Sequence, residues 1–305
     1  MQFRQRISLL LLRDFNGECV RIMAATTGIA HPRVMSSKSF QKLSQFIHTQ
    51  VGIKLPQGKK VMLEARLQKR LRVLGMDSYE SYVDFLFTEK GQQSELRPLI
   101  DVVTTNTTEF FREPKHFEIL VQDILPEWMR RTGGHRTLRL WSAGCSFGME
   151  PYTLSMVMHE FAGWNKSFSF SILATDISTR ALQHAARGVY EQDKIGSIPQ
   201  QFRKKYLLRS KDPNKALVRM GPELRQTIDF RRLNFMEEFS FDKELDIIFC
   251  RNVIIYFDKP TQERLFRQFC RCLQKDGHLF IGHSESLSGM ALPLEQIAPT
   301  VYRRV

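Results

Sequence analysis

The chain has 305 residues, 42 % of them hydrophobic and 25 % charged, a composition typical of a globular protein long enough for two domains. No apolar run approaches the roughly 20 residues of a membrane-spanning helix, so we expect no direct membrane insertion. The formal net charge of +13 favours a polyanionic partner, which could be nucleic acid, an anionic membrane or an acidic protein surface.

Residues 1–35 are predicted to form a disordered extension. Their apolar run, residues 7–12, is too short for a signal peptide, and Met35 is a candidate for the true start. The five cysteines are odd in number and form no CxxC pair, which favours a reducing cytoplasm over a disulfide framework. The histidines form no helix-face pair, so we predict no metal site.

Residues 36–105 are predicted to form an all-α domain. Apolar residues recur there at helical spacing, and Gly75 is placed to end the second helix. The four apolar stripes are Phe40, Leu43, Phe46 and Ile47; Leu63, Leu67, Leu71 and Leu74; Tyr82, Phe85 and Leu86; and Leu96, Leu99, Ile100 and Val103.

The second predicted helix is strongly basic, because residues 59–75 hold six Lys or Arg against the single acid Glu64. Like charges cannot form the usual ion pairs between neighbouring turns. This face is therefore either solvated or a binding surface for an acidic partner. Its members at helical spacing are Lys59, Arg66, Lys69 and Arg70.

Residues 104–113 read TTNTTEFFRE, six polar residues followed by two aromatics, an arginine and a glutamate. Linkers favour Gly, Ser and Pro, and β-branched residues are poor helix formers, so neither explanation fits the run well. Either Thr107 or Thr108 caps a helix over residues 109–120, or the segment belongs to a functional site.

Strands alternate with helices from residue 136 onward, which predicts a doubly wound α/β domain over 106–305 with its ligand at the carboxyl ends of the strands. A small antiparallel insertion is predicted over 188–232, where short strand-like pieces at 206–209, 216–220 and 227–232 are separated by turns. The predicted strands of the main sheet are 137–144, 168–176, 245–252 and 277–282, and the helices are 151–161, 178–187 and 261–273.

The turn after the first strand predicts a nucleoside ligand. Gly144 and Gly148 allow a tight turn, and Asp176 ends the second strand, where a carboxylate can accept hydrogen bonds from ribose hydroxyls. The GxGxxG pattern of dinucleotide sites is not there, and Glu150 in the first helical turn would repel a pyrophosphate. A cationic nucleoside such as S-adenosylmethionine (SAM) fits better.

Five ordered stretches resemble the motifs of the CheR family, the chemotaxis-receptor glutamate O-methyltransferases. They are TTNTTEFFRE at 104–113, SAGCSFGMEPY at 142–152, ATDI at 174–177, FCRNVIIYF at 249–257 and GHSES at 282–286. The resemblance implies an all-α N-terminal domain, a class I SAM-dependent methyltransferase domain and a small β-subdomain inserted in it. It also implies methylation of receptor glutamate carboxylates to methyl esters, for adaptation in chemotaxis-type signalling.

The resemblance implies a set of residues for SAM and its product S-adenosylhomocysteine. Arg112 would pair with the methionine carboxylate, Glu150 with the ammonium and Asp176 with the ribose. Tyr256 would line the methyl-transfer site, although a packing role is equally compatible with its position. The full implied cofactor set is Asn106, Thr108, Arg112, Gly144, Glu150, Asp176, Asn234, Phe235, Arg251 and Asn252.

The resemblance also implies partners. An acidic helical region of membrane chemoreceptors would bind the basic helix, through Lys59, Arg66, Lys69 and Arg70. The turn at 210–216 lacks the glycines with which some relatives dock a receptor's C-terminal peptide, so we expect action independent of that pentapeptide. We expect a cytoplasmic monomer that is recruited to membrane receptor arrays.

Two alternatives remain open. A SAM-dependent nucleic-acid methyltransferase would also be basic, although Asn252 and Tyr256 lack the intervening prolines of its usual loop. A non-catalytic SAM-binding signalling adapter would keep the fold, although the intact Arg112, Glu150 and Asp176 argue against a degenerate site.

Overall fold

The structure is a computed structural model that describes residues 34–212 and 214–305. Residues 1–33 of the predicted extension, Cys19 among them, lie outside the described residues. Met35, the last residue of that predicted extension, is buried in the helical core and donates its backbone N–H to Glu64 Oε1 at 2.8 Å. No helix of the described residues is long and apolar enough to cross a membrane.

Between residues 34 and 104 the structure has four α-helices, as predicted: α1 (Ser37–Val51), α2 (Lys60–Leu74), α3 (Tyr79–Leu86) and α4 (Glu89–Val103). Side chains at the N-caps Ser36, Ser78 and Thr88 accept hydrogen bonds from backbone N–H groups three residues on. Gly75 ends α2 in the left-handed conformation. The predicted apolar stripes meet in a single core, since all four helices contribute to it.

The C-terminal half is built on a seven-stranded, mostly parallel sheet, as predicted, in the order β6-β2-β1-β7-β8-β10-β9. β10 runs antiparallel to its neighbours β8 and β9, and the other pairings of this sheet among the described residues are parallel. Buried apolar clusters cover both faces of the sheet. The strands are β1 (Leu138–Ala143), β2 (Phe170–Asp176), β6 (Ile228–Arg232), β7 (Leu245–Cys250), β8 (Leu273–Ile281), β9 (Leu294–Ala298) and β10 (Val301–Arg304).

Helices flank this sheet in the order typical of a doubly wound fold. A short π-helical turn, Leu120–Ile124, joins α5 to α6. The helices are α5 (Lys115–Ile119), α6 (Leu125–Thr132), α7 (Met149–Trp164), α8 (Thr179–Arg187), α9 (Gln200–Tyr206), α10 (Pro222–Gln226) and α11 (Lys259–Cys272).

The antiparallel insertion is a three-stranded sheet, but one of its predicted strands is wrong. Its order is β3-β5-β4, with β3 at Val189–Glu191, β4 at Leu207–Arg209 and β5 at Leu217–Met220. The piece at 227–232 instead forms β6, which pairs in parallel with β2. The insertion therefore ends before β6, because Ile228–Arg232 pairs residue by residue with Ile172–Asp176 of the main sheet.

His278 on β8 is expected to make stability pH-dependent. It is 5 % exposed, and burial, reinforced by Arg131 and Arg303, lowers its pKa to about 4. Below about pH 6.5 the His278 imidazole becomes protonated in the unfolded chain but stays neutral in the folded chain. The free energy of unfolding therefore falls as the pH falls from about 6.5 toward 4. The loss at about pH 5 should be roughly 2 kcal/mol.

Urea denaturation of the wild type and of His278→Gln, at about pH 7 and about pH 5, measures this contribution. The variant should lose less stability on acidification than the wild type, whereas the exposed control His135→Gln should behave as the wild type does. Equal losses in the wild type and His278→Gln would contradict the assignment.

Candidate functional site

A cavity of about 1290 Å³, its open mouth included, lies at the carboxyl ends of β1, β2 and β7. Helical-domain residues close one side of it, among them Lys59 and Met62. Such a position is the expected ligand site of an open α/β sheet. The cavity is lined by every residue predicted for the cofactor, namely Asn106, Thr108, Arg112, Gly144, Glu150, Asp176, Asn234, Phe235, Arg251 and Asn252, and also by Tyr256.

The segment 104–114 joins the two halves without helical structure, so the predicted cap at Thr107 or Thr108 is wrong. The following helix, α5, begins only at Lys115, with Pro114 at its N-cap position. Phe111 and Glu113 adopt positive φ values of 54° and 56°, a conformation that a continuous helix from residue 109 does not allow. The segment therefore follows the wall of the cavity instead of capping a helix.

Asn106 carries the clearest sign of an unmet hydrogen-bonding need in this wall. Its backbone carbonyl accepts a hydrogen bond from the Ser146 hydroxyl at 3.0 Å, which ties the segment to the turn after β1. Its side-chain Nδ2 is buried and has no hydrogen-bond partner among the described residues. Because buried polar groups are almost always paired, this amide is placed to donate to a ligand.

The turn after β1 requires glycine. Gly144 has a φ of 83°, and a Cβ there would lie 2.5 Å from the Val253 side chain. The backbone N–H groups of Gly144 and Cys145 both donate to the Thr175 carbonyl at 2.8 Å. This arrangement brings the start of α7, with Glu150 in its first turn, beside the end of β2.

Asp176 lies at the end of β2 and is 9 % exposed. Its two carboxylate oxygens accept hydrogen bonds from the backbone N–H groups of Ser146 and Ser178, each at 2.8 Å. Burial raises the pKa of Asp176, although these N–H groups favour the ionised form. A carboxylate oxygen can accept more than one hydrogen bond, so Asp176 is held in place with capacity left for hydroxyl groups in the cavity.

Arg251 is the buried cation of the site, with its side chain 2 % exposed. It pairs with Glu113 Oε2 at 3.1 Å and with Glu150 Oε2 at 3.3 Å, and it donates to the Arg112 carbonyl. Glu150 also accepts from the Ser142 hydroxyl at 2.7 Å, and burial raises its pKa. Arg251 thus fixes the positions of both carboxylates.

Two acidic residues that position this site had no role in our sequence predictions, although both fall within the quoted stretches. Glu113 accepts from Asn252 Nδ2 at 3.3 Å. Its burial favours the neutral form, but Arg251 and the surrounding donors lower its pKa. Glu285 accepts from the backbone N–H groups of Asn252, Val253, Ile254 and Gly282 at 2.6–2.9 Å.

These contacts shape the loop that follows β7. Asn252 has a positive φ of 58°, and a Cβ on Gly282 would lie 2.5 Å from Asn252 Nδ2. The Glu285 carboxylate therefore sits where four converging N–H groups need an acceptor. Tyr256 ends the short 3₁₀ turn Ile254–Tyr256 of the same loop and faces the cavity.

The remaining two predicted residues also make structural contacts. Asn234 Nδ2 donates to the Gln50 carbonyl at 2.9 Å, which links the two halves of the chain. The ring of Phe235 packs edge-to-face against Trp141 and Phe269. Both residues nevertheless line the cavity, where an apolar ring beside an amide suits a flat heterocycle.

The residues of the cavity fit SAM. The orphaned Asn106 amide, the Arg112 guanidinium and the Glu150 carboxylate offer a donor, a cation and an anion within a single cavity. This combination suits a zwitterionic amino-acid group, and Asp176 suits a diol. A pyrophosphate would meet the unfavourable charges of Glu150 and Asp176.

Two members of the predicted basic face of α2, Arg66 and Arg70, already have partners within the chain. Arg70 forms a bidentate pair with Glu95 of α4 at 2.6 and 2.7 Å, and Glu95 is 1 % exposed. Arg66 donates to the Val103 carbonyl at 2.7 Å and also to Thr104 and Thr105. Both arginines turn toward α4 because its buried carboxylate and its free terminal carbonyls need donors.

The exposed basic residues of α2 and the turn before it are Lys59, Lys69 and Arg72. Lys59 also lines the cavity, whereas Lys69 and Arg72 lie further along α2 and do not. The basic surface is thus smaller than predicted, and Arg72, which the spacing argument omitted, belongs to it.

Comparisons with known proteins match nearly all of the described chain. The CheR methyltransferase all-alpha domain model matches residues 38–104, and the CheR methyltransferase SAM binding domain model matches residues 106–303. The chain is 39 % identical over 274 residues to the chemotaxis protein methyltransferase of Borreliella burgdorferi, covering 88 % of this chain and 95 % of that protein.

Two further relatives are similar along almost their whole lengths. Chemotaxis protein methyltransferase 2 of Pseudomonas aeruginosa is 38 % identical over 268 residues, covering 87 % of this chain and 92 % of that protein. The chemotaxis protein methyltransferase of Escherichia coli is 36 % identical over 270 residues, covering 88 % and 91 %.

Proposed function

Because the chain belongs to the CheR methyltransferase family, we propose that it methylates glutamate side chains of chemoreceptors, giving methyl esters and S-adenosylhomocysteine. Its mostly parallel sheet is that of a class I SAM-dependent methyltransferase, and residues 106–303 match a SAM binding domain. The observation that carries the proposal is the gathering of all the predicted cofactor residues around one cavity, in a chain with relatives named chemotaxis protein methyltransferase.

We propose that the cavity residues orient the cofactor by charge. Arg112 would bind its carboxylate, Glu150 its ammonium and Asp176 its ribose hydroxyls, with Asn106 Nδ2 as a further donor. Arg251 keeps Glu113 and Glu150 in place but is itself already paired. When bound, SAM supplies a methyl group on a positively charged sulfur.

The acceptor needs no general base from the chain. The carboxyl group of a glutamate side chain has an ordinary pKa of about 4.3, so it is ionised and nucleophilic at neutral pH. The task of the protein is alignment and exclusion of water, which can lower the barrier substantially. Tyr256, at the cavity, is the side chain we place beside the methyl-transfer position.

We propose that the exposed charges of Lys59, Lys69 and Arg72 bind an acidic helical region of the receptor. Lys59 lines the cavity, so an acidic helix that contacts all three charges would bring its glutamates near the cavity mouth. The β4–β5 connection lacks glycine, and we propose action that does not depend on the receptor's C-terminal peptide.

Reversing two charges of this surface should separate receptor recognition from cofactor binding. Neither Lys69 nor Arg72 lines the cavity. The double variant Lys69→Glu/Arg72→Glu should lower kcat/KM for the receptor roughly tenfold at low ionic strength, since steering by opposite charge is lost. Its Kd for S-adenosylhomocysteine, measured by calorimetry, should stay near that of the wild type.

The matched control is Lys166→Glu/Lys275→Glu, which makes the same change in net charge at the amino ends of β2 and β8, away from the cavity. It should methylate the receptor nearly as the wild type does. If both double variants lose the same activity, net charge alone explains the effect and the proposed surface is wrong.

Release of methanol tests the proposed reaction. The protein is incubated with methyl-labelled SAM and receptor-containing membranes, and the washed product is treated with alkali. A carboxyl methyl ester yields volatile labelled methanol, whereas methylated nucleic acid or amines keep the label. Label that stays in RNA or DNA would support a nucleic-acid methyltransferase, and no incorporation would support a non-catalytic adapter.

A further inference from the structure

Three side chains of metal-ligand type converge beside the cofactor cavity: Glu113, His116 and His283. Glu113 ends the segment that joins the two halves, His116 lies on α5, and His283 follows β8. One ligand atom from each lies within 4.8 Å of the others. Glu113 Oε2 is 3.5 Å from His116 Nδ1 and 3.9 Å from His283 Nε2.

His116 Nδ1 faces this cluster without a hydrogen-bond partner among the described residues. His116 Nε2 lies 2.8 Å from Thr300 Oγ1, and the Thr300 hydroxyl donates to the Pro299 carbonyl at 2.7 Å. The hydroxyl oxygen is therefore the acceptor, and the imidazole proton resides on Nε2. Nδ1 of this 1 % exposed histidine then points a lone pair at the Glu113 carboxylate, with no hydrogen-bond partner among the described residues.

Two facing electron-pair donors repel unless a cation lies between them. No donor among the described residues contacts His116 Nδ1, and the Arg251 guanidinium beside the same Glu113 oxygen opposes a further positive charge on the ring. A neutral imidazole with its proton on Nε2 is the form that ligates metals. Its Nε2–H bond to Thr300 is the outer hydrogen bond that metal-ligating histidines usually make.

We propose that Glu113, His116 and His283 bind a divalent transition-metal ion of the zinc class. Two imidazoles and one carboxylate suit Zn²⁺ far better than Mg²⁺ or Ca²⁺. Tetrahedral Zn²⁺ with ligands at about 2.0–2.2 Å sets its ligand atoms about 3.4 Å apart. The His116–Glu113 pair already has this spacing, and His283, with a side chain 55 % exposed, is free to close the remaining gap.

Arg251 opposes the ion, because its guanidinium lies 3.1 Å from the same Glu113 oxygen. It is itself balanced by Glu150 at 3.3 Å, so two carboxylates face a single buried cation at this point. An ion bound to Glu113 would weaken the ion pair between Glu113 and Arg251 and the hydrogen bond that Asn252 donates to Glu113. Arg251 and Asn252 both line the cofactor cavity. Metal binding should therefore weaken cofactor binding, a consequence that rests on the proposed function, whereas the metal site itself does not.

Binding of the metal alone is the test. The full chain is equilibrated with Zn²⁺ or Co²⁺, and bound metal is measured by elemental analysis and by the Co²⁺ absorption spectrum. We expect one ion per chain in the wild type and loss of that ion in His283→Ala, which removes an exposed side chain and should not disturb folding. The exposed control His135→Ala should retain the ion.

Thr300 provides a second, milder variant pair. Thr300→Val removes the outer hydrogen bond of His116 and should weaken metal affinity by about 10- to 100-fold, whereas Thr300→Ser keeps the hydroxyl and should bind as the wild type does. The proposal is overturned if His283→Ala binds as much metal as the wild type. It is also overturned if the Co²⁺ spectrum shows thiolate bands, which would place the ion on cysteine instead.

Discussion

Replacing Arg112 with alanine is expected to weaken binding of SAM and S-adenosylhomocysteine by about 10- to 150-fold, the effect of losing hydrogen bonds from a charged group worth about 1.5–3 kcal/mol. Arg112 lines the cavity, and its guanidinium donates a long hydrogen bond, 3.4 Å, to the Thr107 carbonyl. The side chain therefore contributes little to the fold, and its loss should act on the ligand.

Titration calorimetry with S-adenosylhomocysteine measures this effect. Arg130→Ala, a change of an exposed arginine on α6, has the same chemistry away from the cavity and should leave affinity unchanged. If Arg112→Ala binds as the wild type does, segment 104–113 only connects the two halves of the chain, and the proposed role of Arg112 is wrong.

Glu285→Ala is expected to lower the free energy of unfolding by roughly 3 kcal/mol or more, because four backbone N–H groups lose their shared acceptor and each unpaired buried donor costs about 1–3 kcal/mol. Glu285 is 6 % exposed, so water cannot easily replace it. Methyl transfer should fall as well, since Asn252 and Tyr256 lie on the loop that the carboxylate holds.

Urea denaturation compares Glu285→Ala with the control Glu295→Ala, which removes an exposed carboxylate that pairs with Arg303. The control should lose less than about 1 kcal/mol. Glu285→Gln keeps the volume but turns an NH₂ group toward N–H donors, so it should retain the fold while reducing activity. Wild-type stability together with wild-type activity in Glu285→Gln would contradict the role of the carboxylate.

The sequence predicted those parts of the fold that depend on local periodicity. Apolar spacing identified α1 to α4 because each helix buries one stripe. The near-continuous apolar run of β7, which Asp246 interrupts, identified a strand buried on both faces. The residues predicted to bind the cofactor could be grouped in advance because the carboxyl ends of parallel strands meet at one edge, which brings Gly144, Asp176 and Asn252 together.

Other features depend on contacts between distant residues. The three-residue strand β3 is too short to give an alternating pattern of apolar and polar residues. The pairing of β6 with β2 depends on contacts between residues far apart in the sequence, which local periodicity does not reveal. Spacing along α2 placed Arg70 on a basic face, but it could not reveal that Glu95 on α4 lies opposite. The convergence of His283 with Glu113 likewise joins residues that are remote in sequence.

The proposed reaction is transfer of a methyl group to a glutamate carboxylate of a receptor. The direct measurement is to incubate the full chain with methyl-labelled SAM and a receptor's cytoplasmic helical region, digest the product under mildly acidic conditions and locate the label by mass spectrometry. We predict label on glutamate side chains, greatly reduced with Arg112→Ala. Label on lysine, on nucleic acid or on no glutamate at all, in a protein that binds the cofactor, would contradict the proposed reaction.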